Sequence, residues 1–202
     1  MKRIIKKEPE FFSKFISKAN PKVWKDLNDR GLGKDIRKFI LKNEQNYQCA
    51  YTEVNISADN SSSHIDHYRK RDIFSILTFK WNNLLVASNI EFYGAKYKDK
   101  YIKRGDEAIY ESLLDPSVDD PKDYFYYSLT GRISPKSNDK ESENYKKAYN
   151  TIEVFNLNER SLEERRKGVA LVLNSYVGQF EMPEVKVLVK EFDTYIEAIY
   201  NS

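Results

Sequence analysis

Cysteine, glycine and histidine are all scarce in this chain, and each scarcity closes off some chemistry. Cys49 is the single cysteine among 202 residues. No intrachain disulfide can form, and a zinc site built from the chain's own thiolates is excluded. Seven glycines are spread without a phosphate-binding Gly-rich loop, so ATP chemistry must come from elsewhere. No apolar run is long enough to cross a bilayer, and the basic opening "MKRIIKK" is not followed by an apolar signal region. A cytoplasmic protein with no membrane partner is the expectation. A dominant sign of charge is missing as well. Lys+Arg number 34 against 31 Asp+Glu, which neither demands nor excludes a nucleic-acid partner.

What is present suits a globular protein of one domain spanning residues 1–202: 40% hydrophobic, 14% aromatic and 32% charged residues. The expected fold class is α+β and mainly helical. Residues 1–48 read as helices, with "EPEFFSKFI", a helix opened by Pro21, and "KDIRKFILKNEQ" set apart by Gly31 and Gly33. Residues 49–104 change texture. "CAYTEVNI", "HIDHY", "IFSILTFKW" and "NNLLVASN" are strand-like pieces, and "IEFYGAKYKDKYI" is helical. This is the only segment that reads as β. Three prolines, Pro116, Pro121 and Pro135, make the start of 105–202 irregular. The rest returns to helix, with a capping-box spacing at Ser161 and Glu164. One apolar stripe runs from Val185 to Ile199, and Tyr195 and Tyr200 are expected to be exposed on the last helix.

Both histidines of the chain, His64 and His67, fall within "SSSHIDHYRK", with Asp66 between them. In a strand, 64 and 66 share a face while 67 points across. A carboxylate such as Asp66 can hold a hard divalent cation. An imidazole with an ordinary pKa takes a proton from water near neutral pH. Together they can cleave a phosphodiester. The same residues also suit two imidazoles that merely satisfy hydrogen bonds beside a loop. Arg69, Lys70, Arg71, Lys96 and Lys98 flank the stretch and can contact phosphates.

The pieces "EQNYQCAYTE", "HIDHYRKRD", "TFKWNNLLVA", "LLDPSVDDPKDYFYY", "GRISP" and "NTIEVFNLNERSLEERR", in this order, resemble a family of bacterial HNH (ββα-metal) endonucleases. These are the PtuB-like partner nucleases of Septu-type and some retron antiphage systems, and the resemblance covers roughly residues 1–170. It implies a small ββα element embedded in N- and C-terminal helices. His67 would be the general base, Asp66 a ligand of Mg2+ or Mn2+, and Asn83 the asparagine that orients the histidine. It also implies an ABC/SMC-like, PtuA-like ATPase as partner and a nucleic acid, DNA or tRNA, as substrate. Arg69 and Lys96 would be the substrate contacts.

The sequence departs from that pattern where relatives carry two Cys-x-x-Cys pairs. Thr52, Ser88 and Glu91 stand at three of the four positions, so no structural zinc is expected. Packing by Phe79, Trp81, Phe92 and Tyr93 would have to hold the unit together instead. The family's third-motif asparagine aligns with Phe92, which cannot bind a metal. Asn89 or Glu91 would replace it, Asn89 keeping the residue type and Glu91 being the better magnesium donor. His64 would be a third ligand or a group behind the ligands.

Overall fold

The computed structural model describes residues 1–176 and 179–200. Within them the chain is α+β, with helices packed around two short antiparallel hairpins. The N-terminal part holds α1 (Glu10–Ala19), the single turn α2 (Lys25–Asn28) and α3 (Leu32–Ile40). The helix expected after Pro21 begins only at Lys25, after a turn in which the Asp26 carboxylate accepts from the backbone N–H groups of Lys22 and Val23, and it ends at Asn28 ahead of the left-handed Gly31. Gly31, at φ 72°, supplies the left-handed step before α3, whereas Gly33 lies inside the helix and does not break it. The helix widens into a π-helical turn over Leu41–Gln45 and stops at Asn46 and Tyr47, both at positive φ.

The first hairpin pairs β1 (Ser63–His67) with β2 (Leu84–Ser88), in a register that sets Asp66 opposite Leu85 and His67 opposite Leu84. The helix α4 (Ala95–Tyr101) follows. "CAYTEVNI" is not a strand. Cys49 and Val54 close a tight turn, with a bridge only between Gln48 and Asn55. "IFSILTFKW" is likewise not a strand. It carries two short 3-10 turns, Ser75–Leu77 and Trp81–Asn83, in the long connection between β1 and β2. A second hairpin, β3 (Phe125–Tyr127) with β4 (Ile133–Pro135), lies in the segment expected to be irregular.

The C-terminal helices are α5 (Glu143–Val154), α6 (Arg160–Tyr176), α7 (Met182–Val189) and α8 (Asp193–Tyr200). Glu159 caps α6 by accepting from the Ser161 N–H, so the expected Ser161–Glu164 box is not used. Lys190, at φ 62°, separates α7 from α8 and breaks the expected stripe. Leu188 is therefore exposed, and Tyr195, expected outside, is buried. The C-terminal helices reach the first hairpin through Phe155, which stacks on Tyr51 with ring centroids 4.4 Å apart. No helix is long and apolar enough to cross a membrane, among the described residues.

β2 is buried along its whole length, and side chains complete its outer edge. The Gln45 amide donates to the Val86 carbonyl and accepts from the Val86 N–H, both at 2.8 Å, and donates to the Gln48 carbonyl as well. Ala50 N–H adds a bond to the Val86 carbonyl, and Lys6 caps the Leu84 carbonyl at 2.7 Å. Gln45 thus does for β2 what a third strand would do. Replacing it by leucine leaves the Val86 N–H and the Gln48 carbonyl buried without partners, at about 1–3 kcal/mol each. Gln45→Leu should lower the unfolding free energy by about 2–6 kcal/mol in a denaturant titration.

Candidate functional site

β1 delivers Asp66 and His67 to opposite sides of the hairpin, and different elements receive them. Asp66 faces α4. Its carboxylate accepts from the Lys98 ammonium at 2.8 Å and from the Tyr51 hydroxyl. Lys98 is fully buried and also donates to the carbonyls of His67 (3.0 Å) and Tyr68 (3.1 Å). Asp99 adds a second carboxylate 3.5 Å from the same ammonium. Burial works to discharge Lys98, but Asp66 and Asp99 outweigh it and hold its pKa above the ordinary lysine value. Burial also raises Asp99, reinforced by Asp66 and opposed by Lys98. Removing one partner of such a pair leaves a buried charge uncompensated, at about 3–5 kcal/mol; removing both costs far less.

His67, only 6% exposed, packs edge-on against Trp24 with centroids 4.7 Å apart. Its Nε2–H donates to the Thr78 carbonyl at 3.0 Å. A carbonyl can only accept, so Nε2 carries the proton and Nδ1 carries the lone pair. Burial pushes the ring's pKa down to about 4, against the opposing pull of the Thr78 carbonyl and Asp66. The imidazole is therefore neutral at pH 7.

Asn83 is brought to this site, but it does not bond to His67. Its side chain accepts from Arg69 N–H at 2.8 Å and donates to the carbonyls of Arg69 and Leu77. It thereby ties the two ends of the β1–β2 connection, the segment that presents the Thr78 carbonyl. The Asn83 amide thus bonds to the backbone of the connection that carries the Thr78 carbonyl, where the sequence suggested a direct bond to the histidine.

The residues considered for the metal, Asp66 with Asn89 or Glu91 and with His64 as a third ligand or a group behind, are not gathered at one point. Asp66 gives its Oδ2 to both Lys98 and Tyr51. His64 donates from Nδ1 to the Asn89 side chain at 2.9 Å, and Asn89 donates onward to the Asn60 carbonyl. Glu91 is exposed and paired with Lys100 at 2.6 Å. Among the described residues, no three His, Cys, Asp or Glu side chains come together closely enough to hold a metal ion. The donor set present does not fit a divalent ion. At the zinc positions, Cys49, Thr52 and Ser88 are buried while Glu91 points to solvent. Cys49 is more than a small hydrophobe, since its Sγ accepts from Ser88 N–H at 3.4 Å. Phe92, expected to pack here, is exposed, whereas Trp81 and Tyr93 are buried.

Of the expected phosphate contacts, Lys98 is unavailable. Arg69 pairs with Glu111 at 3.0 Å and lies over the Tyr110 ring, and Lys96 is half-buried on α4. A more continuous basic surface lies beside His67. A groove of about 470 Å³ is walled by Trp24 and His64 and carries Lys34, Arg37 and Arg71, with no carboxylate in its lining. Arg37 is buried. It donates to the Ser63 carbonyl at 2.7 Å and to the Asn60 side chain, and its Nε has no partner. Sequence reading missed Trp24, Thr78 and Arg37, and assigned Lys98 to the surface. One signal for Lys98 was present. Ala95, Lys98 and Ile102 fall at helical spacing on one face, so the lysine interrupts an apolar stripe.

No family model matches this chain. Over 158 aligned residues it is 29% identical to the Septu protein PtuB of Bacillus mycoides (strain KBAB4), covering 66% of this chain and 50% of that protein. The two sequences are similar over that stretch. The chain spans about half the length of this curated relative, and the likeness takes in neither protein's full length.

The depressed His67 pKa has a measurable consequence. Between about pH 6.5 and 4 the unfolded chain holds a proton on this ring that the folded chain does not. Stability from this group is complete above pH 6.5 and is lost as the pH falls through 4. Wild type should lose up to about 3 kcal/mol more than His67→Gln between pH 7 and 4, read from denaturant midpoints across that range.

Proposed function

We propose that this chain is an HNH-type endonuclease of a Septu-type antiphage system, hydrolysing nucleic-acid phosphodiester bonds with His67 as general base. One observation carries the reading. The Thr78 carbonyl fixes the His67 tautomer, so that a neutral ring keeps its Nδ1 lone pair, and Trp24, which packs against that ring, is also a wall of a groove lined with positive charge. Such a ring takes a proton from an attacking water, and positioned general bases contribute about 10²–10⁴-fold in rate. The order β1, β2, α4, with Asn83 closing the connection, supports assigning the unit as a ββα element. Lys34 and Arg71 would track the phosphate backbone, giving affinity with little sequence preference. The likeness to a Septu protein PtuB supports antiphage defence as the setting, and a cytoplasmic location and control by an ABC/SMC-like ATPase belong to this reading.

A second reading has its own support. Asp66 is held by Lys98, and His67 is almost wholly buried. Both features favour a subunit that binds nucleic acid and the ATPase without cutting.

The two readings separate in one experiment. The purified chain, alone and with the ATPase, is incubated with supercoiled plasmid and with tRNA. Cleavage should fall about 100-fold or more in His67→Ala and persist in His64→Ala. Intact plasmid and tRNA under all conditions, with binding retained, would replace the nuclease by the binding subunit. In filter binding to duplex DNA, Lys34→Ala and Arg71→Ala should each reduce the slope of log affinity against log salt by about 0.9.

A further inference from the structure

We infer that the Lys98 ammonium is the resident cation of the β1–β2–α4 centre, occupying the place a divalent metal would take beside Asp66. This deepens the nuclease reading and rests on the assignment of that unit as a ββα element.

The surroundings of Lys98 carry the argument. Its ammonium is enclosed by oxygen: Asp66 Oδ2 at 2.8 Å and the carbonyls of His67 and Tyr68 at 3.0 and 3.1 Å. Asp99 Oδ1, which is buried and has no hydrogen-bond partner, lies 3.5 Å away. Two carboxylates and two carbonyls are the donor types that hard divalent cations select. Here they converge on a nitrogen. The three N–H groups of the ammonium are matched by three acceptors, and the Tyr51 ring closes a further side with its centroid 5.6 Å from Nζ. An ion on Asp66 Oδ2 would have to displace the ammonium, because Lys98 and Tyr51 both bond to that oxygen. His67 uses its backbone carbonyl in this cage and its ring on the other side of β1, so one residue joins the fixed cation to the basic site. The positive charge of this centre is covalently attached to α4.

The inference predicts that Asp66 is blind to divalent ions in the wild-type chain and is unmasked when Lys98 loses its charge. Mn2+ binding is measured by the electron paramagnetic resonance signal of the free ion. The proteins are the full chain, Lys98→Met, and the double variant Asp66→Asn/Lys98→Met, which leaves no unpaired charge from the pair. Wild type and the double variant should bind Mn2+ equally weakly. Lys98→Met should gain a site at least tenfold tighter. An extra Mn2+ site in wild type relative to the double variant would overturn the inference, as would a folded Lys98→Met that gains none. If Lys98→Met does not fold, the wild-type and double-variant comparison decides alone, equal binding supporting the inference. Cleavage is not read, so an inactive nuclease leaves this inference standing, and a metal-binding Asp66 leaves the role of His67 intact.

Discussion

The buried ion pair between Lys98 and Asp66 constrains this molecule from several directions at once. It ties α4 to β1, and through the His67 and Tyr68 carbonyls it also fixes the backbone where β1 enters its long connection. An ammonium without solvent is tolerable only because every N–H has an acceptor and two carboxylates supply opposite charge. Tyr51 contributes a hydroxyl to Asp66 and a ring face to Lys98, and it stacks in turn on Phe155. The C-terminal helices therefore brace the centre from behind, although they contribute no charged group to the pair itself.

On the opposite side of β1 the logic is reversed. His67 is kept neutral by burial, and its ring is aimed by a single carbonyl. Asn83 maintains that carbonyl's position by holding both ends of the connection. Trp24 then serves two roles, packing against the imidazole and forming a wall of the basic groove. A fixed positive charge behind the strand and a neutral imidazole in front are thus separated by one residue of backbone.

Much of this was legible in the sequence, but unevenly. β1 and β2 were readable because "HIDHY" and "LLVAS" are short, β-rich and bounded by polar loops. "IFSILTFKW" has equal strand propensity but no open edge to pair with, so it folds into 3-10 turns. The β3–β4 hairpin was hidden by Pro135, which ends β4 where its missing N–H costs little. The site shows the same split. His67, Asp66 and Asn83 announced themselves by residue type and order. Trp24, Thr78 and Arg37 did not, since their roles depend on which segments the fold brings together. Lys98 was the most instructive case. Composition assigns a lysine to the surface, and only its place among Ala95 and Ile102 on one helical face pointed inward.

The completed outer edge of β2 bears on how other chains can approach. Short apolar strands are natural templates for strand addition, by a partner or by another copy of the same protein, because their unpaired backbone groups invite a new ladder. In β2 the Leu84 carbonyl goes to Lys6, Val86 to Gln45 and Ala50, and the Ser88 N–H to Cys49. No ladder is on offer along that edge. The outer edge of β2 is capped by side chains, which guards that edge against strand addition and obliges any protein docking there to read side-chain chemistry instead of backbone.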